Sequence, residues 1–195
     1  MEILSKLIGS PARIKIMRLF LQNKDTVFLP KDVSSRSRVS SDVLRRELKL
    51  LQSVGFLKKN TKGYFFNIAF KYTREFETLL VGSDTMDETS IAESFKKVGK
   101  TKLLIVSGFF IKNKDSRIDL LIVGDSLQKG KIEEAVKKLE SEIGTELTYA
   151  TFDTNEFVYR LNMYDKLVRD ILDFPHKVLI QTKDVSQTLV GLKKQ

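Results

Sequence analysis

The sequence contains no cysteine and a single histidine, His176. Disulfides and thiolate metal sites are therefore impossible, and a structural zinc site lacks its ligands. No run of about 18 apolar residues occurs, and the N-terminus has neither a basic region followed by a long apolar core nor a small-residue cleavage site. We therefore expect a soluble cytoplasmic protein with no membrane partner, no bound metal and no cofactor. His176, beside a proline at a helix end, is given no role.

The composition is that of a folded chain with an uneven charge. Its 195 residues are 42% apolar, enough for one large or two small packed domains. The net charge is +9, but residues 1 to 75 hold 16 Lys and Arg against 6 Asp and Glu, whereas residues 76 to 195 hold 18 against 19. This asymmetry predicts a polyanionic partner for the first part of the chain and a different task for the second.

The segment from Ser40 to Val54 predicts an amphipathic helix. Leu44, Leu48 and Leu51 recur at the spacing that forms one apolar stripe on a helix. Three cations fall off that stripe: Arg45, Arg46 and Lys49.

Both ends of this helix carry terminating residues. Ser40 or Ser41 can accept a hydrogen bond from the first turn, Asp42 complements the helix dipole there, and Gly55 tolerates the left-handed conformation that ends a helix. The next residues, FLKKN and YFFNI, predict two strands joined by the turn Thr61-Lys62-Gly63. The hairpin has a basic tip that carries Lys58, Lys59 and Lys62.

A capped helix, a glycine and a basic hairpin follow one another in the order found in winged-helix proteins. The run Leu48-Lys-Leu-Leu51, with VGFL and two lysines behind it, resembles the recognition helix and first wing strand of ArsR-like regulators. The segment GSPARIKIMRLFLQN, with Ser10 as cap and Pro11 at the first helical position, is similar to their opening helix. Pro30 marks a boundary, and KDVSSRSRV forms a short helix or turn that completes a helix-turn-helix. The serines and arginines from Ser34 to Arg38 are expected as exposed turn residues, with Arg36 and Arg38 free to contact phosphates.

This resemblance implies that residues 1–82 form a winged helix-turn-helix domain that binds double-stranded DNA. The expected protein is a homodimer, with self-association through Ile3 to Ile8 and through a helix over Phe70 to Val81, although this second helix could equally be a spacer. The first turns of the recognition helix would lie in the major groove, and the wing would bind phosphates. The expected DNA-binding residues are Arg36, Arg38, Ser40, Ser41, Asp42, Arg45, Arg46, Lys49, Lys58, Lys59 and Lys62.

The second part of the chain, residues 83–195, predicts a small α/β domain with a mixed sheet behind a linker that starts at Gly82-Ser83-Asp84. Its expected strands are Lys102 to Ser107, Ile118 to Val123, Glu146 to Phe152 and Lys177 to Ile180. Its expected helices are Ile91 to Val98, Lys131 to Ile143, Asn155 to Leu161 and Tyr164 to Leu172.

The segment SGFFIKNKDSRIDLLIVGD resembles the signature of the minimal nucleotidyltransferases. In active members a Gly-Ser pair holds nucleotide phosphates, and an Asp-x-Asp pair on the next strand binds magnesium. Here Gly108 remains, Phe109 replaces the serine, and Arg117 replaces the first acid, which leaves Asp119 with Glu146 as a possible third acid on the neighbouring strand. A guanidinium repels Mg²⁺, so the resemblance implies a vestigial nucleotide site with no catalytic residue. Arg117 and Asp119 can also be read as residual strand residues or as a salt bridge.

The predicted fold class is α+β with two domains, a winged helix-turn-helix followed by a nucleotidyltransferase-like α/β domain. The predicted function is transcriptional regulation by DNA binding, with the second domain used for sensing a small-molecule or nucleotide effector or for assembly. Two alternatives stay open. One is an active nucleotidyltransferase whose basic domain delivers a nucleic-acid or protein substrate, and the other is a toxin–antitoxin component that acts by protein contacts.

Overall fold

The computed structural model describes residues 3–81, 87–113 and 115–192. The chain divides into two compact units, which are unit 1 (Met1–Thr85 with Lys137–Glu146) and unit 2 (Met86–Val136 with Leu147–Gln195). The described residues form ten α-helices, a four-stranded sheet and a two-stranded sheet, so the expected α+β class is confirmed. The predicted linker runs from Gly82 to Thr89, and residues 82–86, with the predicted domain boundary, lie outside the described residues. Its last part is wrong, because Asp87 caps the helix Glu88–Lys96, which contains Thr89.

Unit 1 is mainly helical and carries one hairpin. The two strands of the hairpin are antiparallel and pair Asn60 with Gly63, so Thr61 and Lys62 form its turn. An isolated bridge joins Phe28 to Tyr64. The elements are α1 (Ile3–Ile8), α2 (Pro11–Gln22), α3 (Pro30–Ser37), α4 (Ser41–Ser53), β1 (Leu57–Asn60), β2 (Gly63–Phe66) and α5 (Thr73–Val81).

The helix ends in unit 1 agree with the caps and starts predicted from the sequence, with two exceptions. Ser10 caps α2, since its Oγ accepts a hydrogen bond from the Arg13 amide at 3.1 Å. Ser40 occupies the cap position of α4 without a side-chain cap bond, so the predicted capping role is wrong for Ser40. The helix predicted from Phe70 begins only at Thr73, whose amide and hydroxyl both donate to the Phe70 carbonyl.

The core of unit 1 collects the apolar sides of α2, α3 and α4. Leu44, Leu48 and Leu51 are each 3% exposed, which confirms the predicted stripe on α4. Phe56 packs edge-to-face on the rings of Phe66 and Phe70, with centroids 5.2 and 5.3 Å apart. This packing holds both α4 and the hairpin against one core. It therefore determines which of their side chains are buried and which are exposed to solvent.

Unit 2 is built on a four-stranded mixed sheet of order β5-β4-β3-β6. Strand β3 is antiparallel to β4 and β6, and β4 is parallel to β5. Leu103 to Val106 and Leu120 to Val123 are buried on both faces, as expected for near-continuous apolar strands. The strands are β3 (Lys100–Val106), β4 (Leu120–Asp125), β5 (Tyr149–Phe152) and β6 (Lys177–Gln181), and the helices are α6 (Glu88–Lys96), α7 (Lys129–Ile143, divided between the units after Val136), α8 (Thr154–Asn162), α9 (Lys166–Asp173) and α10 (Lys183–Leu192).

Several element bounds in this part of the chain differ from the prediction by a few residues. Strand β4 begins at Leu120 instead of Ile118, so the interpretation of Arg117 and Asp119 as strand residues is wrong. Helix α10 was not predicted, although Asp184 in its first turn is a usual helix-start residue. The strand predicted from Glu146 begins three residues later at Tyr149, so Glu146 does not lie on it.

Candidate nucleic-acid interface

The outward face of α4 is cationic. Arg45, Arg46 and Lys49 are exposed, and none of them has an ion-pair or hydrogen-bond partner among the residues that the structure describes. Ser41 and Asp42 are exposed in the first turn of the same helix. The predicted recognition residues of α4 therefore reach solvent together.

The carboxylate of Glu47 is turned away from this face. Glu47 is 8% exposed, and its side chain accepts hydrogen bonds from Ser10 Oγ at 2.7 Å and from Arg13 Nε at 2.8 Å. Arg13 also donates to the Ile8 carbonyl at 3.1 Å. A buried, paired carboxylate fixes α4 against α2 and does not neutralise the cations outside.

The hairpin adds a second group of cations. Lys58, Lys59 and Lys62 are exposed, and residues 57 to 66 contain no acid. The Lys59 ammonium lies 5.2 Å from the centroid of the Tyr64 ring, a cation–π distance that orients it. The turn is closed by Asn60 Oδ1, which accepts from the amides of Lys62 and Gly63 at 2.8 and 3.0 Å.

The arginines before α4 are placed differently from the prediction. Residues Ser34 to Arg38 were expected as exposed turn residues, but α3 extends to Ser37, which is 1% exposed and donates to the Val33 carbonyl. Arg36 is not free, because its guanidinium forms a 2.6 Å ion pair with Glu146 and lies 5.3 Å from the Phe28 ring centroid. Arg38 is exposed at the end of α3 with a φ of 54°.

Three further cations of unit 1 are already engaged. Lys15 pairs with Glu142 at 2.8 Å, and Lys24 pairs with Glu77. Arg18 is 1% exposed and donates to the carbonyls of Leu80 and Glu142. Six exposed cations without an ion-pair partner lie on α4 and the hairpin, whereas others in the described part of unit 1, such as Lys6, Lys31 and Arg74, are spread over further helices.

In unit 2, Asp119 acts as a structural connector between backbone segments. Its Oδ1 accepts from the Phe109 amide at 2.7 Å and its Oδ2 from the Thr148 amide at 2.9 Å. Gly108 opens a 3₁₀ turn over Gly108–Ile111 at a φ of 50°, and a Cβ built there would lie 2.3 Å from Asp119 Oδ1. The carboxylate therefore closes the turn over Gly108–Ile111.

The other residues of the predicted vestigial site do not gather around Asp119. Arg117 pairs with Asp170 at 2.7 Å, so the alternative of an Arg117–Asp119 salt bridge is wrong. Glu146 is assigned to unit 1, where it pairs with Arg36. Among the described residues, no three His, Asp or Glu side chains form a group that could hold a metal ion.

A second polar group in unit 2 was missed from the sequence. Lys102 Nζ on β3 lies 3.0 Å from Asp125 and 2.8 Å from Asp184. Thr154 donates to Asp125 at 2.6 Å, and Thr182 donates to Asp184. Asp184 and Asp125 raise the pKa of Lys102, while Thr154 and Lys102 lower the pKa of Asp125. A polar residue in a strand of apolar neighbours was the only sequence signal for this cluster.

The Lys102 cluster predicts a specific acid sensitivity. Hydrogen bonding from Lys102, and then from Thr182, lowers the pKa of Asp184 from 3.8 to about 2. A depressed carboxyl pKa stabilises the folded state above the unfolded pKa, and this contribution is lost as the pH falls through the folded value. Between about pH 4 and pH 2, the stability of wild-type protein should therefore fall more steeply than that of Asp184→Asn. Urea denaturation at several pH values measures this, with Asp173→Asn at the surface pair with Arg169 as control.

No protein-family model matches this chain, and neither a curated protein nor a solved structure matches it. In the part of the chain that the structure describes, no helix combines the length and the apolar character needed to cross a membrane. The function is therefore inferred from the residues and their geometry.

Proposed function

We propose that unit 1 is a winged helix-turn-helix domain that binds double-stranded DNA, and that the chain is a transcriptional regulator. In this assignment α3 and α4 form the helix-turn-helix, α4 is the recognition helix, and the β1–β2 hairpin is the wing. The observation that carries the proposal is the cationic face of α4, whose Arg45, Arg46 and Lys49 have no ion-pair partner among the described residues, beside a hairpin that contains three exposed lysines and no acid.

The two groups of cations have different tasks in this proposal. Arg45 and Arg46, with Ser41 and Asp42, lie in the first half of α4, the part of a recognition helix that contacts base edges in the major groove. Lys49 and the wing lysines contact phosphates, which position the protein without reading sequence. Arg38, at the end of α3, would contact the flanking backbone, and Arg36 could do so only after leaving Glu146.

We assign unit 2 as a degenerate nucleotidyltransferase-like domain that serves sensing or assembly. Both carboxylate oxygens of Asp119 are engaged by backbone amides, and Arg117 stands where the resemblance places the first metal-binding acid. This arrangement favours a regulator over an active transferase. A small molecule or nucleotide would be its effector, and this chain is proposed to have no catalytic residue.

Incubation with labelled nucleoside triphosphates and Mg²⁺ should accordingly yield no labelled protein or nucleic acid. The physical reason is that one engaged carboxylate cannot hold the metal that neutralises the transferring phosphoryl group. Transfer of label that is abolished by Asp119→Ala would instead favour the enzyme alternative, in which the basic unit delivers the substrate.

The experiment that tests DNA binding is a selection from a randomised duplex pool with the full chain. The proposal expects a short enriched motif, followed by tighter binding to that motif than to random duplex. If no motif is enriched and the chain instead captures a defined protein partner, the result would favour the protein-contact alternative of a toxin–antitoxin component.

The protein should work as a homodimer. Ile3 and Leu7 lie four residues apart on α1 and are 76% and 77% exposed, and Leu79 on α5 is 49% exposed. Such apolar faces can bury one another in a two-fold interface, and two half-sites would then lie about 34 Å apart or at a multiple of that distance.

Light scattering should give a dimer for wild type and a monomer for Ile3→Lys with Leu7→Lys. The control Ile68→Lys alters an equally exposed residue outside α1, and a wild-type monomer both free and on DNA would contradict dimerisation.

A further inference from the structure

Unit 2 carries a group of lysines, although the net charge of residues 76 to 195 is close to zero. The five side chains are all exposed, and none has an ion-pair or hydrogen-bond partner within the described ranges. They come from the end of α6, the start of β3 and the start of α7. We call them the lysine patch: Lys96, Lys97, Lys100, Lys129 and Lys131.

Backbone contacts bring these three segments together. The Gln128 amide, just before α7, donates to the Val98 carbonyl at 2.8 Å. Lys100 pairs with Asp125 in the β3–β4 register, and a Cβ built on Gly99 would lie 2.7 Å from the Ser126 carbonyl. The segments that carry the lysine patch are therefore adjacent in space, although they are distant in sequence.

Acids near this surface are few and partly engaged. Asp125 already interacts with Lys102 and Thr154. Glu93 lies one turn before Lys97 on α6. On α7, Glu133 lies one turn after Lys129, and Glu134, which has an interaction of its own, lies one turn after Lys131. The surface therefore keeps an excess of positive charge.

The composition of the patch indicates the kind of partner. None of the exposed large apolar side chains in the described part of the chain falls between residues 87 and 136, so the patch lacks the apolar anchors of a membrane surface. It consists of lysines without arginine or exposed aromatic residues, whereas protein interfaces are depleted in lysine and enriched in arginine and aromatics. An ammonium group meets phosphate as a point charge and reads no sequence.

We infer that the lysine patch of unit 2 contacts the phosphate backbone of nucleic-acid duplex, as a sequence-independent site additional to α4 and the hairpin. This inference extends the proposed DNA binding of unit 1 and assigns unit 2 a direct part in affinity. Sequence specificity stays with α4, and the patch adds affinity that falls with salt concentration.

The test compares two variants of the full chain that each remove three charges from unit 2. The patch variant is Lys97→Gln, Lys100→Gln and Lys129→Gln, and the control is Lys112→Gln, Lys166→Gln and Lys183→Gln, all at exposed lysines of unit 2. Fluorescence anisotropy on random duplex is measured at several salt concentrations. For three lost phosphate contacts, the logarithmic salt slope of the patch variant should fall by about 2–3 and binding should weaken about fivefold or more.

The control should keep the wild-type slope. Equal losses in both variants would reduce the effect to net charge and overturn the inference, as would no loss in the patch variant or no duplex binding by wild type. Binding of phosphatidylserine vesicles that depends on the patch, with duplex binding unchanged, would also overturn it. If the triple variant does not fold by circular dichroism, Lys100→Gln and Lys129→Gln are measured singly, each with an expected slope change of about 0.9.

Failure of this inference is distinguishable from failure of the proposed function. If Arg46→Ala weakens binding to the selected site and Lys58→Ala weakens binding to every duplex while the patch variant does not, only the patch inference fails. If the patch variant weakens duplex binding while Arg46→Ala leaves the selected site unaffected and Lys58→Ala leaves every duplex unaffected, the inference stands and the assignment of DNA recognition to unit 1 fails.

Discussion

Replacement of Arg46 by alanine should weaken binding to the selected DNA site by about 1–3 kcal/mol and leave binding to random duplex nearly unchanged. Arg46 is exposed on α4 and has no partner among the described side chains, so its guanidinium is available to bond a guanine edge through two N–H groups. Loss of a bidentate base contact removes discrimination between sites, whereas loss of a phosphate contact does not.

The matched comparison is Lys58→Ala on the hairpin. Lys58 is also exposed and lies on β1, so its removal should weaken all duplexes alike and reduce the logarithmic salt slope by about 1. Fluorescence anisotropy on selected and random duplexes at several salt concentrations separates the two effects. If Arg46→Ala weakens binding to both duplexes equally, α4 contacts the DNA phosphate backbone and is not the recognition helix.

Replacement of Asp119 by alanine should lower the free energy of unfolding by about 2–4 kcal/mol, because a hydrogen bond to a charged group contributes about 1.5–3 kcal/mol and the solvent-exposed bond to Thr148 contributes less than the part-buried bond to Phe109. Its carboxylate accepts from Phe109 and Thr148, so the substitution leaves two amides without their acceptor and loosens the turn after β3. Urea denaturation followed by circular dichroism measures the loss. Hydrogen exchange should rise in the peptide from Ser107 to Leu120.

Asp173→Ala is the control for this experiment, since Asp173 forms an exposed i,i+4 pair with Arg169 and its removal should cost under about 1 kcal/mol. Equal stabilities for wild type and Asp119→Ala would contradict the structural role of Asp119. Stabilisation of wild type by Mg²⁺ that is absent in Asp119→Ala would point to a retained metal site.

Elements that depend on local pattern could be predicted from the sequence. Leu44, Leu48 and Leu51 repeat at helical spacing, so α4 and its buried face followed directly. Ser10-Pro11 predicted the start of α2, and the lysine-rich turn between apolar strands predicted the hairpin. The exposed cations of α4 and the hairpin were predictable for the same reason, because they are the positions left over when the apolar side is buried.

Features that depend on contacts between distant residues could not be predicted. Glu47 looks like an ordinary surface acid of an amphipathic helix, and its burial depends on Arg13, 34 residues away. Asp119 looked like the remnant of a metal pair, and its structural role depends on Thr148, 29 residues away. Arg36 was expected to be free, but its partner Glu146 is more than one hundred residues further along the chain. Local spacing carries no information about such pairs.

The most direct test of the central claim is a titration of fluorescent duplex from the selected pool with wild type and with the variant Arg45→Gln, Arg46→Gln and Lys49→Gln. These three side chains are exposed, so the variant should fold as wild type does by circular dichroism. The claim that α4 is a DNA-recognition helix predicts saturable binding by wild type and a loss of at least about a hundredfold in the variant. Equal affinities of the two proteins for the selected duplex would contradict it.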